Sequence, residues 1–558
     1  MNRSHRVSIL VALLLGLVLA GCAAATPAPT AAPTEAAAPT ATLIPATVVP
    51  TAPPTVAPTV ATTEAAEAEA PAASVQDSGE PITYVMPGED WGYPSPFAFY
   101  NRGPGYLRMA YIFDTLVWKD EQGYIPWLAT DWQVSEDGLT WTFALRQGVT
   151  WQDGAPFTAE DVAFTYEYFK AKTAEGMVKW GWPVDKIASV AVSDDGRSVV
   201  FVTDGPRAGV LGDLFGSLPI IPKHIWEGVD DPLQKLDEEA VIGTGMFRLR
   251  EYSKDEGRYV YEANPDFFLG APSVDELIFV KVQDAALALL ANELDEAGFS
   301  GKEIVAVQQV EGQQGLEIAE GPSDWVLKLY INTSRAPLDD KAVRQALAYA
   351  IDRQAIVDKA EMGGAIVAST GILSPGTYWH NPNLPTYDYA PETAQALLDQ
   401  AGIAPFEVTL LTTSTYAREA ELIMADLAKV GITVKVETAD RSTVDSMLSE
   451  GNYSLLITGH GGTANPDIGD PCPTSAWTNV DYSAAYEMST VSIDDEVRRS
   501  YVWTMQEILA EELPVLALWH PMMWEVYYPG KAVPFYTPEG VGGGIPTATN
   551  KLMFIPER

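Results

Sequence analysis

The chain has 558 residues, 47% of them hydrophobic, and its 75 acidic and 35 basic side chains give a formal net charge of −40. This length and apolar content suffice for two or three lobes with substantial cores. The strong negative charge argues against nucleic acid and anionic lipid as partners, and two cysteines cannot supply a disulfide framework.

The first 22 residues have the pattern of an export signal. Arg3 and Arg6 precede an apolar run, 7–20, that is too short to span a bilayer comfortably. The run ends in LAGC, which resembles the lipobox of bacterial lipoproteins. That resemblance implies that Cys22 is acylated and becomes the mature N-terminus, so that lipid holds the protein at a membrane. The alternative is an ordinary secretory signal that carries an incidental cysteine.

Residues 23–79 consist mainly of alanine, threonine and proline, with a few glutamates and almost no aromatic side chains. Such a composition cannot bury enough apolar surface to offset the entropy of ordering the chain. We therefore predict a disordered tether between the signal and a globular part that begins near Pro81.

The stretch 111–169 predicts a β-hairpin followed by a helix. Asp137-Gly138 is a two-residue turn between alternating apolar and polar residues, the pattern of half-buried strands. Thr158 stands three residues before Asp161 and has the spacing of a helix N-cap. On shape alone, this hairpin and helix are compatible with many α+β domains.

The stretch 406–458 predicts strands at 406–411, 432–437 and 453–458, with helices at 416–429 and 443–448 between them. A β-α-β-α-β order makes the strands parallel, with right-handed crossovers. Open parallel sheets bind ligands beyond the carboxyl ends of their strands, and two polar loops, 412–415 and 459–467, are expected there. Their candidate ligand-binding residues are Thr413, His460, Gly461, Gly462, Thr463, Asn465 and Asp467. The alternative for the second loop, which is rich in glycine, is an ordinary surface turn.

Several strings give the chain a family resemblance. They are FDTLV at 113–117, IPWLATDWQVSEDGLTWTFALRQGVTWQDGAPFTAEDV at 125–162, PIIPKHIW at 219–226, GTGMF at 243–247, and LYINTSRAPLDDKAVRQALAYAIDRQAIV at 329–357. Together they resemble the extracytoplasmic solute-binding proteins of peptide- and nickel-type ABC importers, family 5. The resemblance implies an α/β fold of the periplasmic-binding-protein type (class II, the large cluster with an extra subdomain), with two lobes joined by a two-strand hinge.

The resemblance also implies a domain organisation. We expect lobe I at 81–322 with the extra subdomain at 119–218, lobe II at 323–515, and a return to lobe I at 516–558. The two crossovers are expected near 318–325 and 513–518. A ligand would be enclosed by hinge closure, as in periplasmic binding proteins.

Two aromatic residues are candidates for the wall of the ligand site. In this family the segment after the first strand faces the ligand cleft, and here it contains Trp91 and Tyr93. Packing in the core is the alternative role for each of them.

The loop 459–467 departs from the pattern of the peptide-binding relatives. In those relatives it carries an aromatic residue and, three positions later, an Asp that pairs with the free amine of the peptide. Here His460 and Thr463 occupy these places. Asn465-Pro466-Asp467 resembles the D-P-D element of the family, so Asp467 is the candidate for the missing charge. The segment from Asp467 to Trp477, a further candidate ligand-binding residue, is shorter than in the family.

By resemblance, the protein would capture an oligopeptide or dipeptide and deliver it to a membrane permease and its ATPases. We expect a monomer without cofactor, bound metal or nucleic acid. Its location would be extracytoplasmic, in the periplasm or on the outer face of the cytoplasmic membrane.

Three other functions stay open. Oligosaccharide binding within the family would use flat aromatic walls from the 15 Trp and 24 Tyr side chains. Binding of nickel or a metal chelate is the second, and the scattered positions of the five histidines argue mildly against a direct metal site. A tethered hydrolase is the third. The chain contains no G-x-S-x-G and no H-E-x-x-H motif, but a glycosidase with a carboxylate pair leaves no sequence signature.

Overall fold

A computed structural model describes residues 81–556, apart from 314, 324, 461–476, 538, 539, 543, 544 and 546; the side chains of residues 322 and 460 are also not described. The expected signal peptide, the expected tether and Cys22 lie outside the described residues. No described helix is long and apolar enough to cross a membrane.

The elements of the first half are β1 (Thr83–Pro87), α1 (Gly103–Ala110), β2 (Val117–Lys119), β3 (Tyr124–Pro126), β4 (Ala129–Val134), β5 (Thr140–Leu145), α2 (Ala159–Ala174), β6 (Ile187–Val192), β7 (Ser198–Thr203), α3 (Lys223–Trp226), β8 (Phe247–Ser253), β9 (Arg258–Ala263), β10 (Glu276–Val280), α4 (Ala285–Leu290), β11 (Glu296–Ser300), α5 (Ile304–Val310) and β12 (Glu317–Pro322). They build two four-stranded sheets, in the orders β1-β10-β9-β8 and β4-β5-β7-β6, and the small β2-β3 hairpin.

The elements of the second half are β13 (Val326–Ile331), α6 (Lys341–Ala350), α7 (Arg353–Lys359), β14 (Ala365–Val367), α8 (Pro391–Gln400), β15 (Phe406–Thr413), α9 (Ala417–Ala428), β16 (Ile432–Ala439), α10 (Arg441–Ser449), β17 (Leu455–His460), α11 (Val480–Val491), α12 (Asp495–Glu512) and β18 (Val515–Tyr527). A mixed sheet of order β11-β18-β13-β17-β15-β16 is their centre, and β12 and β14 also pair with β18.

The predicted hairpin and helix are confirmed. In the antiparallel pair β4–β5, Trp132 lies opposite Phe143, and Gly138 in the turn has φ +70°, a conformation that favours glycine. At the start of α2, the backbone N–H of Thr158 donates to Asp161 Oδ2 at 2.8 Å. The other oxygen of Asp161 accepts from the N–H of Lys223 at 2.9 Å, so one carboxylate fixes the start of two helices.

The order β15-α9-β16-α10-β17 confirms the predicted β-α-β-α-β unit. β15 is parallel to β16 and to β17, and β13 joins β17 in antiparallel orientation. Alternate residues of β13 pack on opposite sides: Leu327 and Leu329 in one apolar cluster, Val326 and Tyr330 in another. This sheet is therefore buried on both faces, as expected for parallel strands covered by helices.

The long strand β18 changes partners along its length. Residues from Val515 to Trp519 pair with β13, whereas residues from Met522 to Tyr527 pair with β12. The strand thus runs from the sheet of lobe II into lobe I, and the step from β12 to β13 is the second connection. Pairing with β13 continues to Trp519, four residues past the end expected for lobe II. The boundaries of the lobes themselves stay predictions.

Three of the five family-like strings meet at one buried carboxylate, Asp114 of FDTLV. Its Oδ1 accepts from Trp127 Nε1 and from Lys551 Nζ, each at 2.7 Å, and its Oδ2 accepts from Thr244 Oγ1 at 2.8 Å. Gly243 and Gly245, on either side of Thr244, pack against the backbone of Ile112. A Cβ at Gly245 would lie only 2.4 Å from the carbonyl oxygen of Ile112, so a larger residue would clash there. The GTG string therefore allows the close backbone approach that was predicted, and these strings hold the core of lobe I together.

Candidate functional site

The candidate site is a cavity of about 850 Å³ in lobe I, beyond the carboxyl ends of β1 and β10. These two strands are parallel, with Pro87 opposite Val280 at their last pair. The edge at which parallel strands end is where open α/β sheets bind ligands. Among the residues that line the cavity are Met86, Trp91, Arg108, Phe279, Glu296 and Glu525.

The loop after β1 is held in place by Tyr259 of β9. Its hydroxyl accepts from the N–H of Trp91 at 2.7 Å and donates to the carbonyl of Gly92 at 2.8 Å. These two bonds fix the backbone beside Trp91, whose indole is half-buried and lies 6.0 Å from the ring of Tyr100, measured between ring centroids. A half-buried aromatic ring on a fixed loop gives the cavity a rigid apolar wall.

Arg108 of α1 brings a cation into this cavity. The residue is 8% exposed, and its guanidinium carbon lies 3.3 Å above the centroid of the Phe279 ring. Its Nε has no hydrogen-bond partner among the described residues. Burial lowers the pKa of this guanidinium from its ordinary value, but an arginine starts so far above neutrality that it stays charged.

Glu296 and Glu525 form a buried acid pair in the same cavity. Tyr84 donates its hydroxyl to Glu296 Oε2 at 2.6 Å, whereas Glu296 Oε1 has no donor in the described part of the chain. Burial raises the pKa of Glu296 to about 7, and burial and the adjacent Glu296 raise the pKa of Glu525 well above its ordinary value. Both shifts favour the protonated form, because two adjacent carboxyls in a buried site resist ionising together.

A second group of charges joins the lobes near the hinge. Lys302, just after β11, donates to the carbonyl of Thr415 at 3.0 Å and lies 3.7 Å from Glu419 of α9. Glu361, at the end of α7, faces Glu419; burial and this neighbouring carboxylate raise the pKa of Glu361 to about 7. Side chains from both lobes therefore meet in one partly protonated ionic cluster.

The residues expected to bind ligand from the β1 loop lie in different places. Trp91 lines the lobe I cavity. Tyr93 does not line it: its hydroxyl donates to the Asp237 carbonyl at 2.9 Å, and its ring packs edge-to-face on Tyr252. The structure thus gives Tyr93 a packing role, the alternative considered for it.

The residues expected at the edge of lobe II are only partly described. Thr413 is the last residue of β15 rather than a loop residue, opposite Ala439. His460 ends β17, where its backbone pairs with Val326. Trp477 is half-buried and packs edge-to-face on Tyr482. The remaining candidates, Gly461, Gly462, Thr463, Asn465 and Asp467, lie outside the described residues, and the role of the whole set as a binding site stays a prediction.

Sequence reasoning did not identify Arg108, Glu296 or Glu525. The available signal was a charge inside an otherwise apolar stretch, most clearly Glu525 in VLALWHPMMWEVYY at 515–528. Within the described ranges, no group of three or more His, Cys, Asp or Glu side chains is placed to hold a metal ion.

Comparison with known proteins places these observations in a family. The model of the bacterial extracellular solute-binding proteins, family 5 Middle, matches residues 123–481. The dipeptide-binding protein of Escherichia coli strain K12 is 30% identical over 447 residues, which are 72% of this chain and 82% of that protein. Heme-binding protein A of Haemophilus influenzae is 31% identical over 395 residues, 62% of this chain and 67% of that protein. The solved structure of HbpA2 from Haemophilus parasuis matches with a TM-score of 0.70 and 25% identity, over 82% of this chain and 96% of that one.

Proposed function

Because the chain belongs to family 5 of the bacterial extracellular solute-binding proteins, we propose that it captures a short peptide outside the cytoplasm and delivers it to an ABC permease and its ATPases. The observation that carries the proposal is the lobe I cavity, which combines an aromatic wall, a buried cation and buried carboxyls at the edge of parallel strands. Peptide ends are charged and peptide side chains are often apolar, so such a lining suits them. The dipeptide-binding relative supports the same ligand class.

Hinge closure is the mechanism that we propose for capture. β18 and the β12–β13 step connect the lobes, and a pair of extended strands allows rotation of one lobe against the other. The edge of lobe II at which β15 and β17 end, with Thr413 and His460, would then close over a solute held at Trp91 and Arg108. No covalent step is needed, so the protein acts as a monomeric binding protein and not as an enzyme.

The proposed anchor is an acylated Cys22 followed by the tether 23–79. A lipid anchor would keep the binding lobes within reach of a permease in the same membrane. Mass spectrometry of protein from the membrane fraction should show an acylated Cys22 as the first residue. An intact Met1 there would contradict the anchor.

Oligosaccharide binding is the second candidate, and a second cavity favours it. This cavity of about 750 Å³ lies between the extra subdomain and lobe II, and Trp118, Tyr124, Trp132, Trp141 and Trp379 are among the residues that line it. Flat aromatic faces suit sugar rings. Trp118, Trp141 and Trp379 are themselves buried, however, which leaves less of their faces for a ligand.

A thermal-shift screen tests the proposed function against its alternatives. Di- and tripeptides, neutral oligosaccharides, haem and nickel–histidine would be added in parallel to the purified protein. A ligand at 100 times its Kd adds about 2.7 kcal/mol to the free energy of unfolding, which raises the melting temperature measurably. We expect the shift with peptides. A shift with only sugars, haem or the nickel chelate would overturn the peptide assignment.

A further inference from the structure

Arg108 is a buried cation that has neither an ion pair nor a carbonyl acceptor for its Nε among the described residues, unlike three other buried cations. Lys551 lies 2.7 Å from Asp114, and Arg344 lies 3.3 Å from Glu512. Arg353 donates to the carbonyls of Ala368 and Ala517 at 3.0 and 3.1 Å. By contrast, Arg108 has no ion pair in the described part of the chain, and its Nε is buried without an acceptor. A buried charge without a partner is strongly destabilising, so its retention at a cavity wall points to a partner that arrives from solution.

The carboxyls of the cavity do not serve as that partner. Glu296 accepts from the hydroxyl of Tyr84 at 2.6 Å and lies against Glu525. Asp284 caps α4 by accepting from the N–H of Leu287 at 3.0 Å, and Glu303 accepts from the N–H of Ser300 at 2.9 Å. Each of these acids is engaged elsewhere, and none lies within ion-pair distance of Arg108.

The geometry points to a further specificity-determining residue: we propose that Arg108 binds a carboxylate of the solute inside the lobe I cavity. A planar guanidinium stacked on Phe279 is held in one orientation and offers its N–H groups to a carboxylate. The remaining acidic lining, with Glu89, Asp284 and Glu303, repels solutes that are anionic as a whole. The preferred solute is therefore a peptide with a free α-carboxylate and no net negative charge. This inference rests on the proposed peptide function and names the end of the peptide that enters lobe I.

Calorimetry with one neutral dipeptide and its C-terminal amide tests the assignment. A charge-assisted hydrogen bond is worth about 1.5–3 kcal/mol, so amidation should weaken binding by about tenfold to a hundredfold. R108Q should bind the two peptides with equal affinity, close to that of the amide for the parent protein, and R108K should recover part of the preference for the free peptide. Arg102, an exposed residue just before α1, supplies the matched control: R102Q should keep the full preference.

The outcomes distinguish a failure of the role proposed for Arg108 from a failure of the proposed peptide function. Equal binding of both peptides by the parent protein would overturn the role of Arg108 and leave the peptide function intact. A preference that survives in R108Q would overturn it as well. If no peptide binds to the parent protein, the proposed function fails and the inference about Arg108 fails with it. The comparison of the two peptides on the parent protein needs no variant, so it holds even if R108Q does not fold.

Discussion

Asp114 shows how a single residue ties distant parts of this chain together. The carboxylate is buried, and it accepts hydrogen bonds from Trp127, Thr244 and Lys551. Lys551 also lies 4.1 Å from the ring centroid of Trp118, within cation–π distance. Segments near residues 114, 127, 244 and 551 are therefore held together by one buried carboxylate.

Replacement of Asp114 by asparagine should destabilise the protein strongly. The variant leaves Lys551 as an uncompensated buried charge, and removal of one partner from a buried pair is worth about 3–5 kcal/mol. Urea denaturation followed by tryptophan fluorescence measures the change. D131N, at an exposed position of β4, should stay within about 0.5 kcal/mol of the parent protein. A loss below about 1 kcal/mol for D114N would contradict the structural role of the pair.

The acid pair of the cavity should make stability depend on pH. The pKa of Glu296 is raised to about 7 in the folded protein from an ordinary value of 4.5. Its contribution to stability is therefore fully present below pH 4.5 and is lost as the pH rises through about 7. E296Q removes this titration. As the pH rises from 5 to 8, the free energy of unfolding of the variant should therefore increase relative to that of the parent protein by roughly 1–3 kcal/mol.

The stability of E296Q should be compared with that of the parent protein at each pH, because the titration of His520 changes the stability of both in the opposite direction. Burial lowers the pKa of His520 to about 4 from 6.5, so its contribution is present above pH 6.5 and is lost as the pH falls through about 4. The pH-dependent contributions of Glu296 and His520 to the stability of the parent protein partly cancel. E293Q, at an exposed position, is the control and should show no pH-dependent difference. A constant difference for E296Q across the pH range would contradict the raised pKa.

At the scale of single residues, sequence reasoning named Trp91, which lines the lobe I cavity, but missed the charged residues there; a role of Trp91 in ligand binding stays a prediction. Trp91 was predicted because the segment after the first strand faces the ligand cleft in the family that the chain resembles. Arg108 lies on a short helix and Glu525 on a buried strand. In the sequence each is a single charged residue among apolar neighbours, which does not indicate a binding site. Which of these charges face one cavity depends on pairing between β11 and β18, residues that are about 230 positions apart in the chain.

At the scale of elements, the loop after β17 carries a prediction about the other end of the peptide. Thr463 stands where peptide-binding relatives have an acid, and a neutral hydroxyl offers only a hydrogen bond of about 1 kcal/mol. N-acetylation of a dipeptide should therefore change its affinity by less than about threefold, and H460A should weaken both forms equally by about 1 kcal/mol. Calorimetry on the two peptides measures this. A loss of a hundredfold or more on acetylation would show that another acid, with Asp467 as the first candidate, binds the amine.

The elements that were predicted correctly are those whose formation is determined by residues close together in the sequence. The β4–β5 hairpin follows from Asp137-Gly138, the start of α2 from Thr158 and Asp161, and the parallel unit from the spacing of its strands and helices. The predicted loop at 412–415 was wrong in its first two residues, which belong to β15. Thr412 is buried and donates to the Ile457 carbonyl at 3.1 Å, a bond to the neighbouring strand that extends β15. Threonine suits both loops and strands, and only the neighbouring strand decides between them.

At the scale of the whole molecule, two hydrogen bonds are among the contacts that link the lobes away from the strands. Lys302 bonds to the Thr415 carbonyl near the hinge, and the N–H of Ala208 donates to the Thr490 carbonyl at 2.9 Å, between the extra subdomain and α11. The crossover along β18 was expected near 513–518 from the family resemblance alone, because its mainly apolar sequence would suit either sheet. Both contacts are non-local and cross the expected lobe boundary.

Hinge closure should be visible in solution. With saturating peptide, small-angle scattering should match the profile calculated from the described part of residues 81–556, after allowance for the rest of the chain. Without ligand the radius of gyration should be larger, because the cross-lobe contacts are few and polar and the hinge is free to open. A maltose-type sugar that gives no thermal shift serves as the control for solute effects. Identical profiles with and without a bound peptide would contradict closure.

The central claim is that one short peptide binds to each molecule of this protein, and titration calorimetry with a neutral dipeptide tests it most directly. We predict saturable binding with a stoichiometry of about one and a negative heat-capacity change, the mark of apolar surface buried on binding. The absence of saturable heat with di- and tripeptides, together with saturable binding of a sugar, haem or a metal chelate by the same preparation, would contradict the account.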